Sequence, residues 1–356
     1  LGATQTSGPR VVRRARFHSY LERDQTVVPL YRGNPPPREQ TKERLLDAAT
    51  RAGRYLLRHQ QPDGSFHYLY QPWRDEVADD YNVLRHAGTC YALYQLAAET
   101  GVDAFREAAD RGLEWLLAKH SAALANGAGL AIVDRDEAKL GGAALALLAT
   151  VQALRAQDTP QLLHTARKLA RYLLSRQEPS GRFVSKTPWS TQDPDDFESA
   201  YYPGEAIFAL MRLYAIDPNP DWIKAAEKGA SFLIEVRDRD KSDAELDHDH
   251  WLLMGLEELH RSTGRSQYIE HGRRIGDAIV AAMNTGPYPD WVGGYYKPPR
   301  ATPASTRAEG LIALIRTLER SGADAEKYRQ ALGKIVTFVT RCQISDENAL
   351  FYSKPA

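Results

Sequence analysis

DAATRAGRYLLRHQ, residues 47–60, decides the fold. Its aliphatic residues recur on one helical face and its arginines lie on the other. That is the pattern of a helix with one wet side. The same design returns in EAADRGLEWLLAKH (107–120), HTARKLARYLLSRQ (164–177), KAAEKGASFLIEVR (224–237), EHGRRIGDAIVAAM (270–283) and RQALGKIVTFVTRC (329–342). The step between these segments is roughly sixty residues, with one shorter step, and such a period marks a repeat architecture.

Between them stand five segments of a second kind: NVLRHAGTCYALYQLAAETG (82–101), LGGAALALLATVQALRAQ (140–157), YYPGEAIFALMRLYAI (201–216), HDHWLLMGLEELHRSTG (248–264) and STRAEGLIALIRTLERSG (305–322). Each is nearly apolar through its middle and carries small residues there, as a helix buried on most sides does. Gly101, Gly264 and Gly322 end three of them, in the manner of helix C-caps. Alternating wet-faced and buried helices mean stacked helical hairpins. The expected fold is all-α, an α/α toroid with six outer and five inner helices. It is either a complete six-hairpin barrel or an incomplete one. An open α-solenoid is the alternative, though solenoid repeats are usually shorter and more uniform. Residues 1–40 read as an extended N-terminal arm, Pro- and Arg-rich around Gly33–Glu39, and 41–356 as the toroid domain.

Two outer segments end in the same turn: Gln60-Gln61-Pro62-Asp63-Gly64-Ser65-Phe66 and Gln177-Glu178-Pro179-Ser180-Gly181-Arg182-Phe183. This resembles the repeat of the terpenoid cyclase and prenyltransferase toroids. The hairpin order resembles the six-hairpin glycosidase superfamily, which includes unsaturated glucuronyl hydrolases, N-acylglucosamine 2-epimerases and glucuronyl C5-epimerase domains. The likeness covers about residues 44–352 and is architectural; it carries no family-defining catalytic motif.

In a toroid the inner-helix N-termini converge on one mouth, with free N–H groups and positive dipole ends. Here the first turns are polar although the helix bodies are not. They hold Asn82, Arg85 and His86; Lys139; Glu198, Tyr201, Tyr202 and Glu205; Asp247, His248, Asp249, His250 and Trp251; and Ser305, Arg307 and Glu309. Aligned on the following apolar core, His86, Asp249 and Arg307 fall at one height, seven residues before Leu93, Leu256 and Leu314. Glu205 and Glu309 fall at another, five before Leu210 and Leu314. Ionisable groups on buried helices are costly unless they face a wet cavity. Ordinary capping and neighbour ion pairing is the competing explanation.

Glu205, Asp249 and Glu309 are the acid/base candidates, since glycoside cleavage needs one protonated and one ionised carboxyl. His86 and His250 would instead serve a sugar epimerase or uronate lyase as proton carriers. Arg85 and Arg307 suit an anionic group such as a uronate carboxylate. Aromatic residues crowd the intervening loops: Tyr68, Tyr70 and Trp73; Trp189; Tyr288, Trp291, Tyr295 and Tyr296. Sugar rings stack on such faces, and so do the rims of ordinary barrels.

Other signals are weaker. Asp193-Pro194-Asp195-Asp196 matches the acid string of terpene cyclases, with Asp195 as the protonating residue, but lacks the usual continuation. Asp238-Arg239-Asp240-Lys241-Ser242-Asp243 has no glycine for the sharp turn of a calcium loop. His248 and His250 at i, i+2 are a thin basis for a metal, and none is assigned; no cofactor is expected. Cys90 and Cys342, the only two cysteines, have no CxxC partner; they read as two buried thiols or one long-range bridge. The 46 basic and 46 acidic residues balance, which argues against nucleic acid as a partner. There is no apolar run of membrane-spanning length. A start at Leu1 without a signal peptide reads as a processed or excised chain, compatible with a secreted or periplasmic protein, with a cytoplasmic one as the alternative. The overall expectation is a carbohydrate-active enzyme, a glycoside hydrolase on an oligo- or polysaccharide, acidic sugars included. The alternatives are an epimerase or lyase, a terpene-cyclase-like enzyme and a non-catalytic glycan-binding toroid.

Overall fold

The computed structural model describes residues 19–344 apart from 24, 31–33, 72–73, 158 and 194–195. Trp73 and Asp195 therefore lie outside the described residues, as does most of the N-terminal arm. The described part of that arm holds a hairpin, β1 (Ser19–Arg23) paired antiparallel with β2 (Thr26–Leu30).

Eleven α-helices follow among the described residues, and they alternate as the sequence pattern requires. The wet-faced outer helices are α1 (Lys42–Arg58), α3 (Asp103–His120), α5 (Pro160–Ser175), α7 (Pro220–Phe232, running on through a π-turn, Leu233–Arg237), α9 (Ser266–Ala281) and α11 (Glu326–Cys342). The inner helices are α2 (Val83–Thr100), α4 (Leu140–Ala156), α6 (Tyr202–Tyr214), α8 (His250–Thr263) and α10 (Ala301–Arg320). The all-α toroid is thus the fold, with small sheets only in its connections: β3 (Tyr70–Gln71) with β4 (Glu76–Val77), and β5 (Ser121–Ala123), β6 (Leu130–Asp134), β7 (Glu137–Lys139) and β8 (Lys186–Pro188) in one antiparallel sheet.

The core lies between the two helix layers. Helix α4 is buried at every position from Leu140 to Val151, whereas α1 buries only Gly53. Each fully buried Leu or Ile contributes about 1.5–3 kcal/mol relative to exposure, so the inner layer carries most of the stability. Direct packing runs α2–α4–α6–α8–α10 around the axis. Helix α11 returns to α1, where Gln343 Nε2 donates to Ala48 O at 2.8 Å and Arg341 Nε to Pro35 O at 2.5 Å. A side-chain bond thus links the end of α11 to α1, while the inner layer holds five helices among the described residues. Leu56 of α1 reaches the axial cavity from the sixth side.

The two matching turns are built alike. Gln60 bridges to Phe66 and Gln177 to Phe183. Gln60 Nε2 donates to Ala108 O of α3 at 2.8 Å, and Gln177 Nε2 to Ala225 O of α7 at 2.9 Å. Gly64 and Gly181 both take φ +99°, a left-handed value that favours glycine. A side chain there would also strike the Arg111 or Lys228 carbonyl. The turn therefore fastens each outer helix to the next. Both cysteines are free thiols, Cys90 buried and Cys342 half-buried.

Candidate functional site

A cavity of about 890 Å³ runs along the axis, from the inner-helix N-termini to about three turns down. Its mouth is set by Asn82, Arg85, Thr302 and Thr306, its middle by Glu205, His250, Trp251 and Glu309, and its depth by Arg212, Glu257, Glu258 and Arg316. That volume is in the range of small-molecule sites. The lining sets charged side chains among apolar and aromatic ones, Leu84, Tyr91, Phe208, Trp251 and Met254 among them.

Glu205 starts α6 and is 5% exposed. Its Oε2 is buried against Gly141 of α4, where even a methyl group would collide with it, and has no hydrogen-bond partner. Burial, then the charge of Asp249, pushes the Glu205 carboxyl up to about 8, so it is protonated at neutral pH. Glu309 enters from α10 and behaves differently. Burial in the cavity wall raises its carboxyl to about 7, although 56% of its side-chain surface is exposed, so it gives up its proton more readily than Glu205. Its Oε2 lies 3.7 Å from His250 Nε2. His250 is buried on α8, with Nδ1 unpartnered. Desolvation, then nearby Arg307, pushes it down to about 3, so the ring is neutral.

Several sequence candidates stand elsewhere, each for a physical reason. His86 points outward to α3. Its Nε2 donates to Gly112 O at 2.7 Å, and Tyr81 Oη lies 2.7 Å from its Nδ1. The Phe66 N–H donates to that same hydroxyl at 3.1 Å, and Trp115 stacks on the ring. Desolvation pushes His86 down to about 4. It is a neutral core histidine. Asp249 is fully buried and caps α8, its Oδ1 accepting from Leu252 N–H at 3.0 Å. Burial raises it to about 7. It backs Glu205 and does not line the axial cavity. Arg307 is buried on the Tyr295 ring at 4.5 Å and donates to His248 Nδ1 (2.8 Å) and Pro303 O (2.8 Å). This also takes up His248, which turns away from His250. Tyr295 is core, its hydroxyl bound to Ile279 O at 3.1 Å.

Lys139 precedes α4 and is held by Glu137 at 2.9 Å. Glu198 is ion-paired with Arg182 at 2.9 Å, near α7. Trp189 N–H donates to Asp136 O at 2.7 Å, and Trp291 packs on Tyr288. Asn82 caps α2 and also lines the mouth, where Arg85 lies over Tyr68 at 5.6 Å. Tyr201 and Tyr202 begin α6, the first 41% exposed and 6.1 Å from His250, the second packed beside Glu205. The deep residues were missed in the sequence. Their signal was there: Glu205, Phe208 and Arg212, like Glu309, Ile312 and Arg316, repeat at helical spacing. In the suspected calcium run, Asp238 is taken up by Arg237 (2.6 Å) and Lys241 (3.1 Å), and Asp243 by Arg274. No helix among the described residues is long and apolar enough to cross a membrane.

No protein-family model matches this chain, and no curated protein matches it in sequence. Solved structures do match in fold. A D-mannose isomerase superposes with a TM-score of 0.66 at 16% identity, over 88% of this chain and 90% of its own. A cellobiose 2-epimerase from Bacillus thermoamylovorans gives 0.67 at 12% identity, over 85% and 88%. An inactive double Asp→Asn variant of a Salegentibacter α-1,6-mannanase, in complex with α-1,6-mannotriose, gives 0.58 at 14% identity, over 86% of each chain. The chain therefore shares its α/α-toroid fold with these isomerase, epimerase and mannanase structures.

Proposed function

We propose that the protein is a carbohydrate-active enzyme, a glycoside hydrolase with Glu205 as general acid and Glu309 as general base. One observation carries the reading: a cavity-wall carboxyl held protonated by burial and a second, wetted carboxyl two inner helices away. This is the division of labour that glycoside cleavage demands. Glu205 gives its proton to the glycosidic oxygen as the bond to the anomeric carbon breaks. Glu309 takes a proton from the water that attacks that carbon. Trp251 and Arg85, which line the cavity, would orient the sugar. The charged groups and aromatic faces that share the lining, together with the fold's other carriers, support a sugar substrate. A panel of neutral and acidic oligo- and polysaccharides, assayed for new reducing ends, tests this. Glu205→Gln is expected to lower turnover about 10²–10⁴-fold. No turnover on any glycan by the wild type would overturn the reading.

The contact between His250 and Glu309 favours a second reading, a sugar epimerase in which the neutral imidazole takes a carbon-bound proton. The pairing of His250 with His86 loses support, because His86 faces α3. Solvent-deuterium uptake into unhydrolysed sugar separates the two readings.

A further inference from the structure

Two further chambers, each about 430 Å³, continue from the axial cavity. The first shares Asn82 and Leu84 with it, and the second shares Asp80, Tyr81 and Arg135 with the first. The three make one trough leading from Glu205 and Glu309 out between the α1–α2 and α3–α4 connections. Arg85 belongs to the axial cavity and Tyr68 to the farthest chamber, and the two side chains stack at 5.6 Å. The outer wall is the β6–β7 turn. Arg135 and Asp136 stand there at φ +48° and +68°, values that side-chain-bearing residues avoid. Three bonds hold the turn: Ser190 N–H and Oγ donate to the Asp136 carboxylate at 2.8 and 2.7 Å, and Trp189 N–H to its carbonyl at 2.7 Å. The turn thereby presents Arg135 across the trough to Asp80 at 3.8 Å, both side chains more than half exposed.

We infer that this arm binds the sugar units next to the reacting one, and that those units are uncharged. The inference rests on the carbohydrate reading above and narrows its substrate to a neutral chain. Asp80 and Arg135 offer an acceptor and a donor set to sugar hydroxyls, and the Tyr68 ring offers a stacking face. Asp79, Asp80 and Asp134 line the arm against Arg135 and, at the Tyr68 face, Arg85, while Glu137 is engaged by Lys139 and Lys186. A carboxylate-bearing unit would meet net repulsion.

Calorimetric titration with glucose β-1,4- and mannose α-1,6-oligomers of one to four units, and with galacturonate oligomers of the same lengths, tests this. In one neutral series affinity should rise about tenfold or more between one unit and four. The D80A/R135A variant should lose that rise and keep the single-unit affinity, with an unchanged melting temperature as the folding control. If the variant melts early, Tyr68→Ala takes its place. Affinity independent of length, a rise that survives the substitutions, or tighter binding of galacturonate chains would overturn the arm and leave the hydrolase reading standing. Binding of no glycan at all would overturn both.

Discussion

The first turns of α2 and α8 look interchangeable in sequence, yet one turns its histidine away from the axis and the other turns it in. His86, seven residues before Leu93, is locked against α3; His250, six before Leu256, faces Glu309 across the cavity. The whole ring follows this split. At the height seven before the reference leucine stand His86, Asp249 and Arg307, all buried and none lining the axis. At the height five before stand Gly88, Glu205, Trp251 and Glu309, and all four line it. Two residues are about 200° of helix rotation, so the two heights must face opposite ways. The difference teaches that on this scaffold a polar first-turn residue belongs to the site or to the frame according to its rotational position.

The comparison breaks first, and by the largest effect, if the wrong height proves catalytic. Glu309→Gln should cut turnover about 10²–10⁴-fold, like its counterpart at 205, whereas His86→Ala should leave turnover per folded molecule nearly unchanged. His86→Ala should instead appear in denaturant melts. It removes two buried hydrogen bonds and a stacked ring, for a loss of about 2–4 kcal/mol. Equal loss of turnover in the two variants would erase the distinction. Gly141→Ala comes next. The added methyl displaces the Glu205 carboxyl, so turnover should fall sharply while stability drops about 1–3 kcal/mol, measured on one preparation.

pH sharpens the contrast. Glu205 and Asp249 have folded pKa values raised above the unfolded ones, so their stabilising effect is complete at low pH and disappears as pH rises through about 7 to 8. His86 is depressed, so its stabilising effect is complete above its unfolded value and disappears as pH falls toward about 4. Melting temperatures should fall toward both ends, with Glu205→Gln flattening only the alkaline fall. The smallest expected effect concerns Asp249→Asn. Asparagine still caps the helix, but the charge that helps hold the Glu205 proton is gone. The alkaline limb of the pH–rate profile should therefore move to lower pH, and an unmoved limb would free Asp249 of that part.

The sequence made the helix alternation plain because burial on one side or on all sides leaves a direct periodic trace, as in 47–60 against 140–157. The carboxylates Glu205 and Glu309 could also be found, since each stands where an apolar residue should. What the sequence hid was direction. The partners that claim His86 and Arg307, Gly112 O and the Tyr295 ring, lie 26 and 12 residues away along the chain, and no local pattern announces them. Arg135 was invisible for a related reason: its place is fixed by Ser190 across a sheet, which helical periodicity does not register.

The glutamine turns after α1 and α5 act as rulers. Each measures 48 residues from its amide to the carbonyl it grips on the next outer helix, so the hairpin between can neither grow nor shrink much without releasing the grip. At the end of α3 the equivalent place holds His120, which bonds Val133 O within the adjoining sheet. That connection forms β5, β6 and β7, and its β6–β7 turn faces the α1–α2 connection across the trough. The trough is thus walled by one gripped hairpin and one ungripped connection, so a change of length in the α3–α4 connection would reshape it while the glutamine grip holds the opposite wall in place.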